Sequence, residues 1–257
     1  MKWSLAYTFF RSLTLDHLER SLYSVARQTA QPDELVFFDN NTDYTPEHIK
    51  AVIARHFDLG RWTMHFEKHG DPAKTTASWG QNRAIERCEH EFFVLGKADL
   101  IYDFRFFEWL IAAQQGVPRR LSTTWVYQMG YFSQAAHGSV DHAADLEPLG
   151  WREDPRRLLA NKAPGWGEHK ETQHDAPSFM TSKTAMAAAG WYDETLTKWG
   201  YWQQGLQHMM LIRGITFEVV PQWGQFHMLH GIEGGERDPK PGFAQWMESK
   251  RMTGRGA

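Results

Sequence analysis

Apolar and polar positions change periodicity regularly over the first hundred residues, and this pattern predicts strands and helices in turn. Four apolar or alternating runs are typical of strands: residues 3–9, 35–38, 62–66 and 92–95. Between them, three segments carry apolar residues at helical spacing: residues 15–28, 46–56 and 77–88. Strands that alternate with helices over short connections favour a largely parallel sheet that is covered on both faces.

The second half of the chain is less regular. Asp103 is placed to cap a fourth helix. Further strands are predicted at 121–126, 178–181 and 215–220, and further helices at 184–189 and 202–213. Residues 133–175 are long and weakly patterned, and a loop of that length inside a compact domain is usually functional. We predict one domain over 1–257, made of a first half (1–112), a second half (113–232) and a Gly-, Pro- and charge-rich tail (233–257).

Composition excludes several classes of partner. The net charge of -3 provides no field that would recruit nucleic acid or an anionic membrane. No apolar run reaches the roughly 18 residues that a membrane-spanning helix needs, and the start of the chain has a strand pattern broken by Arg11. We therefore expect a cytoplasmic protein.

Cys88, the only cysteine, lies in a predicted helix, which favours a buried apolar role.

Polar residues follow three of the predicted strands. They are the segments 8–11, 39–43 and 97–99. Ligands of open α/β sheets bind beyond the carboxyl ends of the strands, so we expect these segments to border one cleft. Asp39 is the firmest candidate among them, although aspartates at strand ends also commonly cap turns.

Three motifs, taken in order, resemble the family 2 glycosyltransferases, enzymes of the nucleotide-sugar-binding GT-A fold. Residues 21–39 read SLYSVARQTAQPDELVFFD, residues 80–84 read GQNRA and residues 190–194 read GWYDE. Family members commonly show a Gln-Thr pair, Pro-Asp-Glu, an apolar strand and an aspartate, then Ala-Arg-Asn-x-Gly, then Gly-Gly-Phe-Asp-Glu. The resemblance covers roughly residues 3–112 and 178–230. It implies a GT-A-like α/β fold, with a Rossmann-type mostly parallel sheet flanked by helices.

The resemblance also implies a nucleotide-binding first half and an acceptor-side second half, with residues 133–175 as a lid that excludes water. Asp39 would accept a hydrogen bond from the imide N–H of a uracil-like base, so the donor would be a UDP-sugar. Arg11 is equally consistent with a solvated loop residue. The full set of residues implied at the nucleotide sugar is Thr8, Phe9, Arg11, Asp39, Asn41, Asn82, Lys97, Ala98 and Asp99.

The expected metal motif is altered. The family holds Mn²⁺ or Mg²⁺ with Asp-x-Asp after the fourth strand, whereas this chain has Lys97-Ala98-Asp99. Lys97 would either neutralise phosphate directly, which would weaken the dependence on metal, or swing out to the surface. Asp99 and His227 are the implied metal ligands. An isolated histidine is, however, more often a hydrogen-bonded core residue.

The expected catalytic base is altered as well. Relatives place Glu-Asp where this chain has Trp202-Gln203, and glutamine cannot take a proton from an acceptor hydroxyl. Another carboxylate then does this work, or the reaction is not inverting, or the protein only binds. Asp175 is the best substitute, unless it is a plain loop residue beside Pro177. Asp193 and Glu194 are expected to form a turn.

The resulting hypothesis is a glycosyltransferase that moves a sugar from a nucleotide donor, a UDP-sugar by the resemblance, to an unidentified hydroxyl acceptor. One alternative is a non-catalytic nucleotide-sugar-binding protein with a degenerate site. Another is a phage-type glycosyltransferase that acts on modified DNA bases. That alternative needs a basic face, and two segments are candidates: the stretch Arg152, Arg156, Arg157 and Lys162, and the tail residues Lys250, Arg251 and Arg255.

Overall fold

A computed structural model of the protein describes residues 1–11, 13–67, 76–128, 146–160, 167–169, 177–195 and 201–228. Within these ranges the chain forms nine strands and six α-helices. The strands are β1 Trp3–Phe10, β2 Glu34–Asn40, β3 Trp62–Glu67, β4 Phe92–Lys97, β5 Leu100–Tyr102, β6 Arg120–Gln128, β7 Gly167–His169, β8 Met180–Ser182 and β9 Thr216–His227. The helices are α1 Leu15–Ala26, α2 Pro46–Ile53, α3 Ala77–Glu86, α4 Phe106–Gln114, α5 Lys183–Ala189 and α6 Tyr201–Ile212.

All nine strands belong to one sheet, in the order β3-β2-β1-β4-β8-β6-β9-β5, with β7 paired to β6. The first four strands are mutually parallel where they pair, as are β6 and β9. The remaining pairs, β4–β8, β6–β8, β6–β7 and β5–β9, are antiparallel. The predicted α/β fold is confirmed, with a parallel first half and a mixed second half.

Both faces of the sheet are buried because successive side chains of its strands point to opposite faces. Along β2, Leu35 and Phe37 join a cluster with residues of α1, α2 and α4. Val36 and Phe38 join a second cluster with residues of α3, α5 and α6. Near-continuous apolar strands are the expected result of covering both faces. None of the helices in the described ranges is long and apolar enough to cross a bilayer.

Side-chain caps fix where several helices begin. In each case a hydroxyl oxygen accepts a hydrogen bond from a first-turn backbone N–H, which satisfies a donor that the helix leaves open. The capping residues are Thr14 for α1, Thr45 for α2, Thr76 for α3 and Ser182 for α5. Pro46 occupies the first turn of α2, where its missing N–H costs nothing.

Two local predictions need correction. Asp103 does not cap α4, because Arg105 occupies the cap position without a side-chain bond. Instead, Asp103 Oδ1 accepts from the Arg105 N–H at 2.9 Å and closes the preceding turn. The short strands β5 and β7 were not predicted, since three residues are too few to show a periodicity.

Residues 146–160, inside the predicted lid segment, pack against the body of the protein. Leu146, Trp151 and Leu158 are buried in a cluster with residues of β5, β6 and β9. Arg152 makes ion pairs with Glu19 of α1 at 3.1 Å and with Glu147 at 2.9 Å. This stretch is therefore part of the core. Residues 129–145, 161–166 and 170–176 of the middle segment lie outside the described ranges.

The arginines of the middle segment are paired with carboxylates. The hydrogen bond from His56 and the nearby Arg152 hold the pKa of Glu19 at about 2. Arg156 pairs with Asp154 at 2.9 Å and Arg157 with Glu153 at 3.4 Å. The basic character of this stretch is thus largely neutralised. Lys162 and the tail lie outside the described residues.

Candidate functional site

The carboxyl ends of β1, β2 and β4 meet at one edge of the sheet, as predicted. Their register places Phe9 beside Asp39 and Thr8 beside Lys97. Polar segments that are far apart in sequence therefore border a single region. Parallel sheets bind ligands at this edge.

Asp39 lies at the centre of this region. Its side chain is fully buried, and Oδ1 accepts a hydrogen bond from the Thr42 N–H at 3.1 Å. Asn41 has a left-handed backbone with φ of 59°, a conformation that asparagine adopts more readily than most residues. Asp39 thus caps the turn after β2, and a ligand that reaches its carboxylate must displace the groups that bury it.

Gly80 allows α3 to approach β2 closely. A Cβ atom at this position would lie 2.7 Å from Cγ of Asn40, whose Nδ2 in turn donates to the Thr76 carbonyl at 3.1 Å. The contact joins the start of α3 to the residue next to Asp39. Glycine is therefore required at position 80 because a side chain would not fit there. Its backbone conformation is not the reason, since Gly80 is not in the left-handed region.

We expect Gly80→Ala to destabilise the protein by about 1–3 kcal/mol, because the new methyl group overpacks the contact with Asn40. At a helix position with free space around it, replacing glycine by alanine would instead stabilise the protein. Urea denaturation measures the effect. Gly60→Ala is the matched control, since its Cβ would lie 3.4 Å from Asp58 Oδ1, an ordinary contact. Equal stability of the two variants would contradict the packing argument.

Three of the residues implied at the nucleotide sugar form contacts within the sheet or the core: Thr8, Phe9 and Ala98. The Thr8 hydroxyl donates to the Gly96 carbonyl at 3.3 Å, and the Ala98 N–H donates to the Thr8 carbonyl at 3.1 Å. Phe9 is fully buried and stacks on Tyr44, with ring centroids 5.9 Å apart. The Phe9 side chain is therefore core rather than a wall for a flat ligand.

Two residues at this end of β1 and β2 are more accessible than Phe9. Arg11 is exposed just beyond β1. The half-buried Tyr44 stacks on Phe9 and follows the polar loop after Asp39. Tyr44 is not among the residues that the sequence implied at the site, and its only signal there is an aromatic residue directly after a polar segment.

Asn82 joins α3 to the turn after α5. Its Nδ2 donates to the Tyr192 carbonyl at 3.0 Å and to Glu194 Oε1 at 2.9 Å, and its Oδ1 accepts from the Tyr192 N–H at 3.1 Å. Both donors of its amide are used by the protein. Asn82 therefore positions the turn, and the ligand-binding role implied for it stays a prediction.

The turn held by Asn82 has an unusual backbone. Gly190 and Trp191 both have positive φ, 86° and 63°. Glycine accepts this conformation freely, whereas it is strained for a tryptophan. Asp193 Oδ1 accepts from the Thr195 N–H at 2.9 Å, so Asp193 and Glu194 are turn formers as predicted.

Lys97 is buried at the end of β4, with 3% of its surface exposed. Its Nζ lies 4.4 Å from the ring centroid of Trp202 and 3.5 Å from Oε1 of Gln203. Of the two orientations that the sequence allowed, the structure has the inward one. The three positions that depart from the family motifs are brought together, because Lys97 contacts both Trp202 and Gln203.

Asp99 and His227 form a pair, as the implied metal site requires. Asp99 Oδ2 and His227 Nε2 are 3.1 Å apart, and antiparallel pairing of β5 with β9 sets His227 beside Leu100. No group of three or more metal-binding side chains occurs among the described residues. Two side chains are fewer ligands than a divalent cation needs, so a metal here would take further ligands from a bound diphosphate or water, and the metal site stays a prediction.

Asp175 and Cys88 are the remaining residues for which the sequence suggested a role. Asp175 lies outside the described residues, so its role as a base stays a prediction. Cys88 is buried, and burial raises the pKa of its thiol to about 12. A thiol with that pKa is not a nucleophile near neutral pH, which agrees with the apolar role expected for it.

No protein-family model and no curated protein matches the sequence. Solved structures do match it. A crystal structure of S. aureus TarS, a GT-A-type glycosyltransferase, has a TM-score of 0.57 at 12% identity over 89% of this chain and 37% of that chain. TarS 1-349 in complex with UDP gives 0.57 at 12% identity, covering 89% of this chain and 61% of that chain. TarS 1-349 alone gives 0.52 at 12% identity, covering 89% and 60%.

This likeness confirms the predicted GT-A-like fold. At 12% identity it establishes the fold alone. The chain spans 37–61% of the length of these TarS chains.

Proposed function

We propose that this GT-A-like protein is a glycosyltransferase that transfers a sugar from a UDP-sugar to a hydroxyl group of an acceptor. One observation carries the proposal: Asp39 at the end of β2 and Lys97 at the end of β4 border the same edge of a GT-A-like sheet. A carboxylate suits the imide N–H of uracil, and an ammonium suits a diphosphate. The UDP complex of TarS supports this class of donor.

The roles of the chain's own residues follow from this proposal. Asp39 accepts from the base once the groups that bury it have moved, and Lys97 supplies positive charge to the diphosphate. The turn at residues 190–194, held by Asn82, borders the acceptor side. Mn²⁺ or Mg²⁺ at Asp99 and His227 is a further proposal, and no step here depends on it.

Asp175 is the proposed base that takes the proton of the acceptor hydroxyl. We expect Asp175→Asn to lower UDP release by about 10²- to 10⁴-fold, the usual contribution of a general base, and to leave the Kd for UDP unchanged. UDP release is measured over a panel of UDP-sugars with mixed glycan and alcohol acceptors. Asp193→Asn is the control, because Asp193 is engaged with Thr195 in a turn. Equal activity in the two variants would remove Asp175 from this role.

Gln203 favours one rival, a binding protein without turnover, because a carboxamide stands where the family has a carboxylate. The same release assay separates the two functions. Binding of UDP-sugars without release in every acceptor mixture would support the rival, whereas release that disappears in Asp99→Ala would support transfer.

The DNA-modifying alternative has weaker support. Arg152, Arg156 and Arg157 each pair with carboxylates, which leaves no basic face in the described part of the middle segment. Binding to duplex DNA that weakens steeply with salt would restore this alternative.

A further inference from the structure

A groove of about 500 Å³ lies between α5 and α6, and this volume is usual for the site of a small ligand. The end of α5 and the turn at residues 190–194 form one wall. Gly205, Met209 and Arg213 line the other wall, and their four-residue spacing places them on one face of α6. These three positions span about 12 Å along the helix axis. The groove is therefore elongated and runs along α6.

Trp191 contributes an aromatic surface to this groove. It is half-buried, and its backbone has the strained φ of 63°. The Trp191 N–H donates to the Met186 carbonyl at 2.9 Å, which holds the residue in this conformation. Backbone strain of this kind is concentrated at ligand sites. A large aromatic side chain held in this way is suited to the apolar face of a sugar ring.

Gly205 leaves space beside the turn. It lies in the interior of α6, where glycine is less favourable than alanine because it loses more conformational freedom on folding. Because glycine has no side chain, the surface of the helix is recessed at this point of the groove. The helix therefore has a less stable residue at a position where a larger one would narrow the groove.

Two hydrogen-bond donors that line the groove have no partner among the described residues. Arg213 is half-buried, its Nε–H is buried without an acceptor, and its guanidinium makes no ion pair with any described residue. Tyr192 is 2% exposed, and its hydroxyl has no hydrogen-bond partner in the part of the chain that the structure describes. Buried donors without acceptors destabilise a protein, so a ligand that accepts hydrogen bonds would compensate for them.

The two carboxylates of the groove are engaged by other groups of the protein. Asp193 Oδ1 accepts from the Thr195 N–H at 2.9 Å. Glu194 Oε1 accepts from Asn82 Nδ2 at 2.9 Å and lies 3.9 Å from Nη2 of Arg83. The groups of the groove that await a partner are therefore one positive charge and one hydroxyl, and both can donate.

An anionic ligand with a single charge matches these groups. A guanidinium presents two parallel N–H groups that fit the two oxygens of a carboxylate. A phosphate monoester carries close to two charges at neutral pH, and the second charge would be repelled by the neighbouring Asp193 and Glu194. The length of the groove and the ring of Trp191 favour a carboxylate that belongs to a sugar chain.

Trp202 joins this groove to the edge of the sheet where the nucleotide candidates lie. The rings of Tyr192 and Trp202 meet with centroids 5.6 Å apart, and Nζ of Lys97 lies 4.4 Å from the Trp202 centroid. One indole thus contacts both regions. A ligand in the groove would extend away from that edge along α6, as expected for the part of an acceptor that is remote from the reacting hydroxyl.

We propose that the groove between α5 and α6 binds an acidic glycan built from hexuronate units, with a sugar ring on Trp191 and a carboxylate on Arg213. The binding of this glycan does not depend on the nucleotide. Its assignment to the acceptor rests on the proposed function and names the class of that acceptor.

The test is isothermal titration of trigalacturonate and of its methyl ester into the full chain. The ester has the same sugar rings without the charge, so we expect it to bind the wild type about 10- to 100-fold more weakly, the size of a lost hydrogen bond between charged groups. Arg213→Met should weaken trigalacturonate by the same factor and leave the Kd of the ester unchanged. Only a direct contact between Arg213 and the carboxylate produces this pattern.

Trp191→Asn is the second probe, because asparagine tolerates the positive φ while the ring is lost. It should weaken the acid and the ester alike by about tenfold. Arg61→Met is the matched control, since Arg61 is exposed just before β3, at an edge of the sheet. It should bind both ligands as the wild type does. Thermal melts check that each variant folds.

The outcomes separate this inference from the proposed function. Equal Kd values of the acid and the ester for the wild type, or an Arg213→Met variant that still prefers the acid, would overturn the inference. Inorganic phosphate that displaces trigalacturonate at equal ionic strength would overturn the choice of a carboxylate. A protein that binds UDP but not trigalacturonate loses only the groove, whereas one that binds trigalacturonate but not UDP keeps the groove and loses the proposed function.

Discussion

Replacing Asp39 with asparagine is expected to lower the affinity for UDP by about 10- to 150-fold, the equivalent of about 1.5–3 kcal/mol for a hydrogen bond to a charged group. Asparagine keeps an Oδ1 that can accept from the Thr42 N–H, so the turn after β2 should persist. The second carboxylate oxygen of Asp39 becomes the Nδ2 amide group in asparagine. This group donates hydrogen bonds, so it would face the imide N–H of the base with a second donor. Isothermal titration with UDP and with uridine measures the loss.

Asp43→Asn is the matched control, because Asp43 is exposed in the same loop. It should bind UDP as the wild type does. Asp39→Asn should weaken UDP and uridine equally, whereas Lys97→Met should weaken UDP alone. An unchanged affinity in folded Asp39→Asn would mean that Asp39 only caps its turn.

Replacing Trp151 with alanine is expected to give the largest loss of stability, about 3–5 kcal/mol. Trp151 is fully buried, and its ring meets the edge of Tyr23 with centroids 5.4 Å apart. The guanidinium of Arg152 lies 4.8 Å from the centroid of the same ring. Removing the ring would leave a cavity between residues 146–160 and the sheet. Urea denaturation followed by circular dichroism reports the change in the free energy of unfolding.

Trp151→Phe is the control for this substitution. The indole N–H of Trp151 has no hydrogen-bond partner in the described structure, so phenylalanine loses volume but no bond. We expect a much smaller loss than for alanine. A loss below about 1 kcal/mol for Trp151→Ala would show that residues 146–160 do not belong to the core, and they would then be available to the proposed lid.

The sequence determined the elements whose signals are local. Each of the first four strands and three helices was predicted close to its observed bounds, since apolar periodicity and capping residues act within a few positions. The edge location of Asp39 followed as well, because parallel strands of one sheet end together. The correct α/β fold came from the same pattern.

Tertiary structure alone decided the contacts that join distant segments. Asn82 meets Tyr192 across 110 positions and Lys97 meets Gln203 across 106, and no local pattern encodes such pairs. The same reason applies to Trp151, whose partners lie on α1 and the sheet. The sequence showed that positions 97, 202 and 203 depart from the resembled family. Only the fold brought the three side chains together, because packing of α6 against the end of β4 is a property of the whole chain.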